Sequence, residues 1–182
     1  MPMTAPAKTG PLRSEQIILF RIGEQLFALS SSSVQEVRGA DSLSGGAYEI
    51  SAPGIEKVRQ FVRRGGSTLF LVSGALHFGL SAPDGILAFV LRNTRTALLV
   101  DSIEKMTAMT RLQALPLSFC DEERQWYRGL TALDQTVVPV VRPEGFLSDI
   151  ELMTLDEALP PPEPSSEETG VEEDADFDPD LN

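Results

Sequence analysis

Short apolar runs separated by turn residues dominate the chain from about residue 15 to residue 148. The run "QIILFRIG" alternates imperfectly around Ile18, Phe20 and Ile22, "GEQ" forms a tight turn, and "LFALS" continues as the next extended segment. Two such segments joined by a short turn predict a β-hairpin. The segment "SVQEVR" then predicts a third strand, with Val34 and Val37 flanking a charged position.

The same pattern recurs through the rest of the body. The later runs are rich in Val, Leu, Ile and Phe, and "NT", "DQ" and glycine-containing turns separate them. Many short strands at this spacing predict a mostly β fold with antiparallel sheets, a small barrel or a sandwich. The predicted strands are "STLFLVS" (67–73), "ILAFVLRN" (86–93), "TALLVDSIEKM" (96–106), "WYRGLTALD" (126–134) and "TVVPVVRP" (136–143).

Two segments depart from the strand pattern and predict helices. Residues 55–64, "IEKVRQFVRR", carry apolar residues at helical spacing with the positive charges on the other face, and the segment ends at "GG". Residues 149–159 are good helix formers that follow Ser148 or Asp149 as the N-cap and stop before three prolines. We expect this second helix to pack on the body.

The two ends of the chain differ from the body in composition. Residues 1–14 lack an apolar period and predict a flexible leader, whereas residues 160–182 combine prolines with dense carboxylates and predict a disordered acidic tail. Residues 149–182 hold 13 of the 27 acidic residues and no Lys or Arg, so residues 1–148 are nearly neutral despite a net charge of −12. A neutral body without a basic stripe disfavours nucleic-acid binding.

Candidate catalytic chemistry is sparse. The single histidine, His77, lies in an apolar run, which favours a structural or surface role over general-base catalysis. The single cysteine, Cys120, precedes the acidic "DEE", a setting that favours an inert thiol, and it has no disulfide partner in the chain. Asp101 ends an apolar strand, where an aspartate usually caps a turn. These residues predict no enzyme active site, no metal and no cofactor.

No stretch reaches the roughly 18 apolar residues that a membrane-spanning helix requires, so we expect a soluble cytoplasmic protein without membrane insertion.

Three motifs in order resemble the CheW-like family, the coupling proteins that join chemoreceptors to a chemotaxis-type histidine kinase. "ILFRIGEQLFALSSSSVQEVRG" is similar to the family's first hairpin and its Val-x-Glu-Val/Ile pattern. "ALLVDSI" resembles its Gly-Leu-x-Val-Asp strand, and "WYRGLTALDQTVVPVVRPEGFL" resembles its closing hairpin. Each motif alone is a weak signal, but their order and spacing over about residues 16–147 make a strong one.

The resemblance implies two intertwined five-stranded β-barrel subdomains around a shared core, with no catalytic activity. It also implies contacts with the kinase regulatory domain and the chemoreceptor tip. By position in the family pattern, we expect Val34, Glu36, Arg38, Arg64 and Gly66 to contribute to the partner-binding surface. In an alternative interpretation Val34 and Val37 belong to the core and Glu36 is simply solvated.

The central segment departs from the family pattern. Gly65 stands where the family usually has arginine, Phe70 where it has proline, and Ser73 where it has aspartate, and near the end Arg142 replaces a common aspartate. Arg64 lies one position before the expected arginine.

These departures leave a rival interpretation, in which a stand-alone CheW-like interaction domain binds another protein. A small-barrel enzyme or ligand-binding protein is a further, weaker alternative.

Overall fold

Eleven strands in two sheets make up nearly half of the chain that the computed structural model describes, residues 14–162. Four short helices connect or flank them: α1 (Ala40–Ser44), α2 (Gly74–His77), α3 (Asp121–Trp126) and α4 (Asp149–Ala158). The strands are β1 (Glu15–Ile22), β2 (Gln25–Ser30), β3 (Val34–Gly39), β4 (Ala47–Glu49), β5 (Val58–Arg64), β6 (Ser67–Ser73), β7 (Leu87–Leu91), β8 (Thr96–Val100), β9 (Ser102–Met109), β10 (Tyr127–Leu133) and β11 (Thr136–Val141).

The two sheets are intertwined along the chain. β1 and β2 start a five-stranded sheet of order β10-β11-β2-β1-β9, the chain then builds a six-stranded sheet of order β3-β7-β8-β6-β5-β4, and it returns to complete the first. The predicted mostly β fold with two intertwined subdomains is confirmed, although one sheet has six strands rather than five. Backbone hydrogen bonds between Gln113 and Leu130 (2.7 and 2.9 Å) link the chain after β9 to β10, so the edges of the five-stranded sheet approach each other.

The predicted hairpins form where the local sequence specified them. β1 pairs with β2 in antiparallel register through the turn that contains Gly23, whose φ is +58°. The "NT" and "DQ" turns join β7 to β8 and β10 to β11, with positive φ at Asn93, Asp134 and Gln135. Asparagine and aspartate tolerate this left-handed backbone better than most residues, which explains their use at these turns.

Three hydrophobic clusters fill the structure. The main core lies between the sheets, where Phe20 of β1 packs edge-to-face against Phe89 of β7 with ring centroids 5.3 Å apart. A second core fills the other face of the six-stranded sheet beneath Leu43 of α1, and a third lies on the other face of the five-stranded sheet. Each sheet is therefore buried on both faces, which is how small curled sheets fill their interiors.

The predicted helix over residues 55–64 is wrong, because most of that segment is strand β5. β5 pairs with β6 and contains a β-bulge between Val58 and Gln60. The bulge keeps Val58 and Phe61 both in the main core, while Val62 points to the second core on the opposite face. The buried residues of β5 therefore follow one another at intervals of three and then one, as they would on a helix. The interval of three results from the bulge, and the interval of one results from burial on both faces of the strand.

The predicted C-terminal helix is present as α4. Ser148 caps its N-terminus in a capping box with Glu151, and Leu155 is fully buried in the main core. The predicted leader lies almost wholly outside the described residues, as does the tail from residue 163 onward. Among the described helices, none is long and apolar enough to cross a membrane.

Candidate functional site

Glu36 is the centre of a charged cluster on the six-stranded sheet. Its carboxylate accepts a hydrogen bond from Arg38 Nε at 2.9 Å and a second one from the guanidinium of Arg64. The three side chains are partly exposed, with Glu36 the least accessible at 26 %. We call Glu36, Arg38 and Arg64 the Glu36 cluster. Three residues predicted from the sequence therefore lie in direct contact.

The curvature of the sheet brings this cluster together. β3, which carries Glu36, and β5, which carries Arg64, are separated in the sheet by β7, β8 and β6. In a flat sheet they would lie about 19 Å apart, beyond the combined reach of the two side chains. Their contact shows that the six-stranded sheet curls. Helix α1 lies in the connection from β3 to β4 and packs against this sheet, where Ser44 Oγ donates to Gln60 at 3.4 Å.

The electrostatics favour an ionised carboxylate. The Arg64 guanidinium, and then that of Arg38, holds the pKa of Glu36 below its usual value. Two guanidinium groups share one carboxylate, so the cluster carries a net positive charge at neutral pH. Such a cluster offers a partner both an acceptor and unused N–H donors.

Gly66 supports the cluster through the backbone. The β5–β6 turn has two central residues, Gly65 and Gly66, with φ of +53° and +79°. Positive φ at both central residues is the requirement of a tight type I′ hairpin turn, which glycine meets without steric cost. The glycine pair thus fixes where Arg64 ends its strand.

The two valines of the motif have different environments. Val34 is 8 % exposed and belongs to the main core, so its side chain supports the strand from beneath. Val37 is 42 % exposed and is the apolar residue that β3 offers to solvent.

The positions that depart from the family pattern have structural roles. Phe70 is fully buried in the main core. Ser73 is 4 % exposed and caps α2, its hydroxyl accepting from the Leu76 N–H at 3.3 Å. Arg142 donates from Nε to the Tyr127 carbonyl at 2.9 Å. Packing in the main core and hydrogen bonds to the backbone therefore explain the presence of these three residues.

His77 is buried rather than placed in an open site. Lys57 Nζ lies 3.4 Å from its Nδ1 and also pairs with Glu151 of α4 at 2.7 Å. Its Nε2 has no hydrogen-bond partner among the described residues, and the rings of Phe78, Trp126 and Phe146 surround the imidazole at centroid distances of 4.7 to 5.0 Å. Burial, and then the charge of Lys57, lowers the pKa of His77 to about 3.

The other candidate reactive groups lie at a turn and at a helix end. The Asp101 carboxylate accepts from the Gly23 N–H in the β1–β2 turn, as expected for a turn-capping aspartate. Cys120 is exposed and caps α3, the helix formed by the "DEER" segment. Within residues 14–162, no group of three or more His, Cys, Asp and Glu side chains is placed to hold a metal ion.

Sequence reasoning missed the arginines that attach α4 to the six-stranded sheet. Arg95 pairs with both carboxylate oxygens of Asp156, at 2.8 and 2.6 Å, and stacks over Phe70 with its guanidinium 4.9 Å from the ring centroid. The guanidinium of Arg63 donates to the Pro160 carbonyl. These contacts join residues 61 and 97 positions apart, so no local spacing in the sequence signals them.

The described residues form two intertwined sheets with a cluster of paired charges on the surface. The family model described as "CheW-like domain" matches residues 16–151. Because this match covers well over half of the chain, the protein belongs to the CheW-like domain family.

A curated relative and a solved structure agree with this assignment. A probable chemotaxis protein CheW from Rhizobium etli is 28 % identical over 147 residues, which cover 75 % of this chain and 89 % of that protein. The crystal structure of the scaffolding protein TtCheW from Thermoanaerobacter tengcongensis superposes with a TM-score of 0.61 at 14 % identity, covering 81 % of this chain and 96 % of that one. At this identity the second match supports the fold alone.

Proposed function

We propose that this protein is a non-enzymatic signalling adaptor that couples chemoreceptors to a chemotaxis-type histidine kinase in the cytoplasm. The observation that carries the proposal is the family match over residues 16–151, which spans nearly all of the described body. The name of the Rhizobium etli relative places that protein in chemotaxis, and the name of the Thermoanaerobacter tengcongensis protein describes it as a scaffold.

The Glu36 cluster is our candidate for the kinase-binding surface. It carries a net positive charge, Val37 is exposed on the opposite face of the same edge strand, and Gly66 fixes the adjacent turn. A small interface with an apolar contact and flanking charges suits a transient complex, in which the charges set the register and the rate of association. Val34 contributes by holding β3 on the core.

A second function keeps the fold but changes the partner. Gly65, Phe70 and Ser73 replace residues that the family usually has, and the last two are buried here. If the standard contacts depended on the usual residues, the domain would bind another protein instead.

Binding to a kinase regulatory domain tests the proposal. Isothermal titration of the wild type against that domain, taken from the same organism, is expected to give a dissociation constant in the micromolar range. We expect Glu36→Arg to weaken binding at least about tenfold, which corresponds to about 1.4 kcal/mol. Val37→Asp tests the apolar contact at an exposed position.

The matched control is Glu104→Arg. Glu104 forms an ion pair of similar exposure with Arg21, at 2.7 Å, on the five-stranded sheet. This variant is expected to bind like the wild type. Equal weakening by Glu36→Arg and Glu104→Arg would show that overall charge, rather than the Glu36 cluster, determines binding. Absence of binding to any kinase regulatory domain would favour the second function.

A further inference from the structure

The chain leaves the body at a defined place. After α4, Leu159 packs against the main core and the Pro160 carbonyl accepts a hydrogen bond from the Arg63 guanidinium. Arg63 itself lies over the ring of Phe61, with its guanidinium carbon 5.7 Å from the ring centroid. Arg63, which contacts the exit point, directly precedes Arg64 of the Glu36 cluster in the chain.

Four arginines gather at this end of the six-stranded sheet, where the β5–β6 and β7–β8 turns lie side by side. Arg95 Nε donates to the Thr68 carbonyl at 3.2 Å, and Thr68 stands opposite Arg63 in the β5–β6 register. Arg92 Nε donates to the Val34 carbonyl at 3.2 Å at the start of β3. We call Arg63, Arg64, Arg92 and Arg95 the arginine end.

The arginine end carries more positive charge than its neighbours neutralise. Arg95 pairs with Asp156, and Arg64 shares Glu36 with Arg38. Within residues 14–162, neither Arg63 nor Arg92 has a carboxylate oxygen within 4.0 Å. At least two guanidinium charges are thus available to an anionic segment.

The sequence that follows Pro160 supplies such a segment. Residues 163–182 contain nine Asp and Glu and no Lys or Arg, and the first carboxylate is Glu163, three residues after Pro160. A segment joined to its site by a short connection has an effective concentration in the millimolar range. Under that condition a contact of several carboxylates with several guanidinium groups is substantially populated if its dissociation constant is in the low millimolar range.

We propose that the acidic segment 163–182 binds the arginine end of its own chain and competes there with the partner of the Glu36 cluster. The carboxylates of the segment bind Arg63 and Arg92. They also bind Arg64, whose N–H groups otherwise donate to Glu36. The contact is independent of the proposed function, whereas the competition rests on it.

The contact is tested with a nitroxide spin label in the full-length chain, placed by Ser166→Cys in a Cys120→Ser background. The readout is paramagnetic broadening of the amide signals of Gly65, Gly66 and Asn93, which lie in the two turns of the arginine end. The reference is the same labelled chain with its nine tail carboxylates replaced by amides, because tethering alone brings any tail near its exit point.

At about 0.1 M salt, where the screening length is about 10 Å, we expect the acidic tail to broaden these signals more than the neutral tail. At about 1 M salt, where it is about 3 Å, the difference disappears. Arg92→Gln reduces the difference, and the matched control Arg111→Gln, an exposed arginine after β9, leaves it unchanged. Equal broadening by acidic and neutral tails would overturn the proposal.

The competition is tested by titrating the kinase regulatory domain into the two unlabelled full-length chains. We expect the neutral tail to raise the affinity about two- to tenfold at low salt, since the competitor removes a corresponding fraction of free sites. Equal affinities would overturn the competition. If neither chain binds the domain, the proposed function fails, and the broadening experiment still decides whether the contact forms.

Discussion

The burial of His77 is expected to make the free energy of unfolding decrease as the pH falls. The imidazole is 5 % exposed, and burial together with the neighbouring Lys57 lowers its pKa to about 3. In the unfolded chain a histidine titrates near its ordinary value of 6.5. Protons are therefore taken up on unfolding, and the stability that the neutral imidazole provides is present above pH 6.5 and lost as the pH falls below it.

The magnitude follows from the gap between the two pKa values. At pH 5 the unfolded imidazole is almost fully protonated while the folded one stays neutral, so the free energy of unfolding falls by about 2 kcal/mol relative to pH 7.5. This figure requires only that the folded-state pKa lies well below 5. His77 is the single histidine of the chain, so no other imidazole contributes in this window.

The assay is urea unfolding of the tag-free protein at several pH values from 7.5 to 5 and constant ionic strength. His77→Leu is the reference, because it removes the titrating group and keeps an apolar side chain of comparable size. We expect the free energy of unfolding to fall by about 2 kcal/mol more in the wild type than in the variant. Parallel curves for the two proteins would show that His77 does not cause the loss of stability, whatever the absolute stability of His77→Leu.

Two further predictions concern the Glu36 cluster and its turn. Gly66→Ala is expected to lower the free energy of unfolding by about 1 to 2 kcal/mol, because Gly66 has a φ of +79° and open space around its Cα. Gly46→Ala is the control, because Gly46 is also in open space but has no positive φ, and its free energy of unfolding is expected to stay within about 0.5 kcal/mol of the wild type. Equal losses of stability in the two variants would show that the positive φ of Gly66 does not cause the loss. In an NMR titration the pKa of Glu36 is expected to lie below 4.5, and Arg64→Gln is expected to raise it more than Arg38→Gln, because the Arg64 hydrogen bond is the largest cause of the shift. A larger rise of the Glu36 pKa in Arg38→Gln than in Arg64→Gln would show that Arg38 makes the stronger interaction with Glu36.

Local sequence patterns predicted those parts of the fold that depend on local interactions. The β1–β2 hairpin follows from alternating apolar residues around a glycine turn, and α4 follows from its cap and the prolines behind it. β5 was misread because a bulge and burial on both faces changed its period. Whether a strand has one buried face or two depends on the rest of the sheet, which the segment itself does not encode.

The candidate site shows the same division. Family position predicted that Glu36, Arg38 and Arg64 share a surface, but not that two guanidinium groups converge on one carboxylate. That geometry depends on the curl of a six-stranded sheet. Val34 and Val37 belong to one motif, and a bulge after Val34 turns both toward the main-core face of β3, yet Val34 is buried and Val37 is half-exposed at the edge of the sheet.

Kinase activity in a reconstituted receptor complex tests the adaptor function most directly. The measurement is the autophosphorylation rate of a chemotaxis-type histidine kinase mixed with chemoreceptor-containing membranes, with and without this protein. We expect the wild type and Glu104→Arg to place the kinase under receptor control, and Glu36→Arg to fail to do so. A rate that is unchanged by the wild type, in a mixture where the receptor's own coupling protein restores control, would contradict the adaptor function.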